Sequence, residues 1–326
     1  MAVTFSGIEG SYVQRYAQDV QMELQQAESR LRPIVSVKPD CSGLVEFMDK
    51  IGTVAAEKVT SRFADSPIMP VKHSRRKVSS QGYDWGTAVE EWDMRRMNYD
   101  VIRPYAASAA MSMNRKMDEI IVDAAYGTHY ASTDGDMGAS NPYTWVTMTA
   151  GSAAENQNEN GHASNNNVIA RDFVFSGATA VAGLTVPKLL RARRRLQEQE
   201  VEAYDQSGIP TLFCICSAAQ IEGLLNSDKI SNTDYNDVHA LVTGKVNYFA
   251  GFQFIRYENL PVDSVNSDER VLCLHPSALG LCIWADVVAR IDELPNKRFL
   301  PYVYYKMDMG ATRLDEKLMV EIRCDV

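Results

Sequence analysis

A metal or nucleophile site needs imidazoles, thiols or carboxylates that the chain can bring to one point, and few residues here are spaced to do so. The five histidines, His73, His129, His162, His239 and His275, stand apart, and none has the HxxxH or HxH spacing that sets two ligands on one ion. Six cysteines, Cys41, Cys214, Cys216, Cys273, Cys282 and Cys324, lie mostly in apolar segments and form no CxxC pair. They read as buried free thiols rather than as a disulfide framework or a zinc site. The piece DGDMGAS at 134–140 has the early acidic spacing of a calcium loop but lacks the bidentate acid at the twelfth loop position. Gly244-Lys245 is not a phosphate loop, because His239 stands where the earlier glycine is required. With no GxSxG or GxGxxG, and with Glu90-Glu91 on an expected surface, the sequence names no catalytic, cofactor-binding or metal-ligating residue.

Positive charge is the other resource. Arg191, Arg193, Arg194 and Arg195 form the densest basic cluster, on an expected helix that begins after Thr185. A helix spreads them over more than half its circumference, so some meet solvent while Leu189, Leu190 and Leu196 turn to the core. Lys72, Arg75, Arg76 and Lys77 form a second cluster, followed by Glu90, Glu91 and Asp93. The first reads as a solvated, salt-bridged helix, with subunit contact and genome contact left open, and the second as a solvated face or as a contact with acidic surface on another subunit. The net charge of -9 argues against a chain whose main task is to grip nucleic acid, although it permits enclosing one.

The elements that would position these residues follow from periodicity. Residues 12–31 carry Val13, Tyr16, Val20, Leu24, Ala27 and Leu31 in steps of three or four, a narrow helical seam among Gln and Glu that Pro33 ends. That seam packs on the chain's own core or reaches over a neighbouring subunit. Over 51–92, short β-prone pieces such as Thr53-Val54 and Lys77-Val78 are broken by Pro67 and Pro70, which indicates an extended, protruding hairpin. The clearest helix runs from Pro104 to a cap at Gly127, with Ala106, Ala109, Ala110, Met113, Met117, Ile120, Ile121 and Ala124 on one stripe. Residues 128–171 are rich in Asn, Ser, Gly, Ala and Thr and read as a long polar loop or a flexible hairpin, with a short strand at 143–148. The second half alternates a helix at 185–199, a strand at 211–216, a helix at 218–225, and strands at 252–257, 271–274, 302–307 and 318–324. The fold class is α+β, without an internal repeat.

Composition agrees with a folded, soluble chain: 45% hydrophobic and 23% charged residues suit one large or two medium domains with a real core. No stretch approaches the run of about 18 apolar residues that a membrane span needs, and the start lacks a signal-peptide pattern. The chain is therefore expected to stay in the cytosol where it is made.

The order of its pieces resembles the tailed-phage major capsid proteins with the Hong Kong 97 fold. The resemblance rests on LQQAESRLRP at 24–33, IG at 51–52, YDWGTAVEEWDMRRM at 83–97, NRKMDEIIVDAAYGT at 114–128 and GLTVPKLLRARRRL at 183–196. It continues through DYN at 234–236, GFQFIRYENLP at 251–261, KRF at 297–299 and KMDMGATRLDEKLMVEI at 306–322. It implies an N-arm over 1–50, an extended E-loop over 51–92 that lies on the adjacent subunit, and a peripheral domain beginning over 93–171. That domain would hold a spine helix at 104–126 and a polar insertion at 128–170. An axial domain over 172–284 and peripheral return strands over 285–326 complete it.

The implied function is a non-enzymatic major capsid protein that assembles through pentamers and hexamers into an icosahedral phage head around double-stranded DNA, without cofactor, sequence-specific DNA binding or membrane contact. Implied partners are other copies of itself, a portal and a separate scaffolding protein, since no long charged leader precedes the shell fold. Assembly in the bacterial host cytoplasm and residence in the virion capsid follow. Candidate inter-subunit contacts are Tyr16, Val20, Leu24, Leu31, Lys72, Arg75, Arg76, Lys77, Trp85, Arg191, Arg194 and Arg195. Some shells of this kind carry Lys–Asn isopeptide crosslinks, but Lys72 and Lys77 alone do not predict one. The alternatives are an encapsulin-like nanocompartment shell and, in another class, a soluble enzyme with a dispersed active site.

Overall fold

The computed structural model describes residues 25–52, 54–59, 68–69, 71, 73–96, 102–133, 144–147, 167–175, 181–203, 211–225, 248–262 and 267–325. The seam residues Tyr16, Val20 and Leu24, together with Lys72, the acidic piece at 134–140, the Asn-rich run, DYN and Gly244-Lys245, lie outside the described residues.

In chain order the elements are β1 (Ser36–Lys38), β2 (Val45–Ile51), β3 (His73–Ser79), β4 (Gln81–Ala88), α1 (Glu91–Arg96), α2 (Ile102–Tyr126), β5 (Thr128–Thr133), β6 (Thr144–Thr147) and β7 (Val168–Ile169). There follow α3 (Val186–Gln197), β8 (Leu212–Cys216), α4 (Ala218–Leu225), β9 (Tyr248–Phe249), β10 (Phe252–Arg256) and β11 (Glu269–Leu274). The chain ends in β12 (Leu279–Leu294), β13 (Leu300–Arg313) and β14 (Met319–Cys324). The strands form three sheets, ordered β1-β12-β13-β4, β7-β14-β11-β8-β10-β9 and β2-β3-β5-β6. The fold is α+β, as the sequence indicates.

Two compact units emerge: one of Met1–Glu28, Gly82–Arg115 and Asp286–Met307, the other of Ser29–Gln81, Lys116–Ala285 and Asp308–Val326. The second holds the six-stranded sheet. Its central strand β8, LFCIC, is apolar at every position because both faces are covered, and it pairs in parallel with β10 and antiparallel with β11. Cys214, Ile215, Cys216, Phe252, Val271, Cys273, Leu274 and Ile322 form its core. Helix α3 packs on β14 and β7 through Leu189, Ala192 and Leu196, all fully buried. Leu190, expected to face the core with them, is instead exposed.

Helix α2 is 25 residues long, about 37 Å at 1.5 Å per residue, with Pro104 in its first turn. Ala109, Met113, Met117, Ile120, Ile121 and Ala125 are buried at helical spacing, and Gly127 N–H donates to the Asp123 carbonyl at 2.6 Å as the helix ends. At its C-terminal end the Tyr126 hydroxyl donates to the Arg270 carbonyl at 2.6 Å, and the Arg270 guanidinium lies 4.3 Å from the Tyr126 ring.

Residues 25–31, expected to be helical, are not, and the chain makes only a short 3₁₀ turn at Arg32–Ile34 with Pro33 in it. Of the two readings of the polar stretch, the hairpin agrees with the structure: β5 pairs antiparallel with β6, the strand expected at 143–148, and the edge of β3 supplies further partners from Ser74 to Lys77. The 16-residue strand β12 is a strand that periodicity did not show beforehand. Gly310 in β13 illustrates how tightly the strands meet: a Cβ there would lie 2.5 Å from the Ser79 carbonyl oxygen.

Candidate assembly surfaces

Hairpin β2–β3 is in register from Val45 opposite Ser79 to Ile51 opposite His73, so residues 52–72 form the connection beyond its end. The hairpin's charges mostly turn back onto its own unit. Arg75 Nε meets Asp49 Oδ1 at 2.6 Å, directly across the ladder, and Lys50 Nζ meets Asp315 Oδ2 at 2.8 Å. Arg76, expected on a solvated face, is buried and its Nε donates to the Leu314 carbonyl at 3.4 Å. Lys77 is half-buried. At the foot of the hairpin, Lys38 and Glu46 pair at 2.7 Å, and their hydrogen bond raises the lysine's pKa and lowers the glutamate's.

Beyond β2 several aliphatic side chains are exposed, beside the exposed Glu57 and Lys58. Ile51 is 66% exposed, Val54 61%, Val59 82% and Ile68 97%, and Val71 is exposed as well. Single exposed aliphatics are ordinary, but here several belong to one connection between two strands. Sequence reasoning did not single out these residues; the signal was the recurrence of Ile and Val in a segment with no core-facing period.

Residues 25–31 are held by side chains of α2. In the first unit, Arg115 donates to Gln25 Oε1 at 2.8 Å and Asn114 Nδ2 donates to the Ala27 carbonyl at 2.8 Å. In the second unit, the buried Asp118 carboxylate accepts from the Ser29 hydroxyl at 2.5 Å and from the Arg30 and Leu31 N–H groups at 3.0 and 3.1 Å. Those bonds occupy the N–H groups that a helix would have used, which explains the irregular backbone there. Arg30 Nη1 also reaches the Arg256 carbonyl at 2.7 Å. Leu31 is wholly buried inside the chain, so this candidate contact residue serves the chain's own core. Asp118 was legible in principle, as an acid on the buried stripe with Ile121, Val122 and Ala125.

Trp85 lies half-buried on β4, on the face shared with Tyr83 and Thr87. Arg194 is exposed and pairs with Glu198 at 2.8 Å, while Arg191 and Arg195 are half-buried on the same helix. Lys188, missed by the sequence, is fully buried and gives its Nζ protons to the carbonyls of Ala182, Gly183 and Arg323 at 2.6, 3.0 and 3.0 Å. Among the described residues the basic candidates belong to two different elements, β3 and α3.

Nothing in this set is arranged for bond-making. All six cysteines are free and buried, and burial pushes the Cys324 and Cys282 thiols up to about 12, far from a reactive thiolate. His275 accepts the Ser277 N–H at 3.3 Å and burial lowers its pKa, which suits a neutral capping imidazole. Among the described residues no group of three His, Cys, Asp or Glu side chains could hold a metal ion, and no helix is long and apolar enough to cross a membrane.

Comparison with known proteins gives the same direction. A family model described as phage capsid protein matches residues 8–326. A search of curated proteins finds no match. Among solved structures, the capsid of cyanophage P-SCSP1u is similar with a TM-score of 0.69 at 14% identity, covering 99% of this chain and 95% of that one. The capsid of Ralstonia phage GP4 gives 0.69 at 12% identity, covering 99% and 98%. The capsid structure of Helicobacter pylori bacteriophage KHP30 gives 0.66 at 9% identity, covering 100% and 99%.

Proposed function

We propose the division of labour below from one premise: the chain belongs to the phage capsid protein family, has the Hong Kong 97-type fold, and is a self-assembling major capsid protein of the icosahedral head. Residues 1–50 act as the N-arm and 51–92 as the E-loop. Residues 93–171 begin the peripheral domain, with the spine helix at 104–126 and an insertion at 128–170; residues 172–284 make the axial domain and 285–326 return to the periphery. The subunits meet as pentamers and hexamers and enclose double-stranded DNA without reading its sequence, a role for which a net charge of -9 is no obstacle. A portal and a separate scaffolding protein complete the head, assembly takes place in the host cytoplasm, and the subunit performs no catalysis.

The observation that carries this reading is the apolar connection between β2 and β3, whose Val54, Val59 and Ile68 have no core of their own to enter. A closed shell repeats such a contact at every subunit, so modest individual areas add up to a durable particle. Tyr16, Val20, Leu24, Lys72, Trp85 and the remaining basic candidates are contact residues in the same sense. Hydrogen exchange compared between free subunits and assembled particles tests it. Amides of 54–59 and 68–71 are expected to become protected on assembly while β8 and β11 stay unchanged. Equal exchange of the connection in both states would contradict the assignment.

A further inference from the structure

Strands β12 and β13 are joined by a 3₁₀ turn, Pro295–Lys297, and two left-handed residues, Arg298 and Phe299, each with a φ of +56°. The Phe299 N–H donates to the Leu294 carbonyl at 3.0 Å and closes the loop. A loop that only reverses the chain is best served by Gly or Asn at such positions, because a Cβ crowds the left-handed backbone and a bulky side chain there is an outlier. Phe299 stands there nonetheless. It is 64% exposed, so the strain is not repaid by burial in the chain's own core.

Charge on the same turn is divided. Asp292 and Glu293 stand near the end of β12, Lys297 and Arg298 stand in the loop, and all four are exposed. Among the described residues none of the four makes an ion pair. Opposite charges on one hairpin thus remain open to solvent and to another molecule. An acidic pair, a basic pair and an aromatic side chain on one turn form a self-complementary set, which a second copy of the chain matches with the same residues. A nucleic acid fits less well, because Asp292 and Glu293 repel phosphates beside the cations that attract them.

We propose that the β12–β13 turn docks on the same turn of a second copy of this chain, with Lys297 and Arg298 of one copy against Asp292 and Glu293 of the other and Phe299 as the apolar anchor. The inference rests on the assembling-subunit reading and names one contact. That contact is separate from the 52–72 connection, which belongs to the other compact unit.

The test compares the full-length chain with Lys297→Glu/Arg298→Glu, with Asp292→Lys/Glu293→Lys, with the fourfold combination and with Phe299→Gly, measuring melting of free subunits, assembly by light scattering and DNA content of particles. Either charge reversal should raise the concentration needed for assembly at least about tenfold, since it sets like charges against each other across the contact. The fourfold combination restores opposite charges and should assemble within about threefold of wild type. Melting should stay unchanged in all three, because no ion pair within the chain is lost. Phe299→Gly should melt no lower than wild type, since glycine accepts the left-handed backbone, and should still assemble less readily. A fourfold combination as impaired as either reversal would overturn the proposal. So would reversal of Lys297 and Arg298 that leaves assembly intact but lowers DNA content, which would assign those cations to the genome. A wild-type chain that forms no particle would overturn the shell reading and this inference with it, whereas wild-type assembly matched by every variant removes the inference alone.

Discussion

Replacing residues 52–72 with an Asn-Gly turn leaves a subunit that melts where the parent melts but builds no closed shell. The two halves of this expectation have separate causes. Stability is retained because the ladder from Val45–Ser79 to Ile51–His73 lies before the cut, as do the Arg75–Asp49 and Lys50–Asp315 pairs and the buried Arg76. An Asn-Gly pair supplies the left-handed backbone that a tight hairpin turn requires. Assembly is lost because Val54, Val59, Ile68 and Val71 leave with the segment. Burying one such aliphatic side chain is worth about 1.5–3 kcal/mol, so several removed from every subunit contact exceed the margin of a weak, repeated interface. Differential scanning fluorimetry and electron microscopy of the same preparation check both halves. A variant that still closes into shells would show that the connection is not an assembly element.

The largest stability effect is expected at Glu321. This carboxylate, 2% exposed in the side chain, accepts from Arg270 through both oxygens, at 2.9 Å from Nε and 2.6 Å from Nη2, and from Arg323 Nε at 3.4 Å. Removing one partner of a buried ion pair leaves the other charge without compensation, which costs about 3–5 kcal/mol. Glu321→Ala should therefore lower stability by about that amount in a denaturant titration, whereas Glu321→Gln, which keeps the shape and one acceptor, should lose less. The Arg270 guanidinium covers the Tyr126 ring and its carbonyl accepts the Tyr126 hydroxyl, so the loss should also reach the C-terminal end of α2. Tyrosine fluorescence changing with the global transition would register it. A Glu321→Ala chain as stable as the parent would mean that the arginines find other acceptors.

Where one element carries its own pattern, the sequence could be read. Helix α2 shows its stripe, its Pro104 start and its Gly127 stop within one segment, and β8 shows a short continuous apolar run. Strand β12 carries no such contrast: Asp286, Val288, Ala289, Arg290, Ile291, Asp292 and Glu293 are all exposed, so alternation had no buried face to report. Its neighbours β1 and β13 hold it in place. The helical spacing before Pro33 failed at 25–31 for a related reason, since Asp118, nearly ninety positions away, takes the backbone N–H groups. THYAST in β5 stays open between loop and hairpin in sequence, and β3 and β6 on either side settle it as a strand.

The basic residues were legible as charge clusters and not as individual bonding atoms. Arg76 and Lys188 look like surface residues in sequence because their acceptors are main-chain carbonyls, including those of the distant Leu314 and Arg323. The exposed tip residues look like core in sequence because nothing in a linear pattern distinguishes an aliphatic side chain that fills its own interior from one that fills a neighbour's. The family resemblance rests on the order of whole segments, and the family model matching residues 8–326 agrees with it.

The most direct measurement is negative-stain electron microscopy with size-exclusion chromatography of the purified full-length chain, expressed with and without its genomic neighbours. A shell-building subunit gives closed shells, tubes, or capsomers of five and six copies; a chain that stays a well-behaved monomer under every condition would contradict the account.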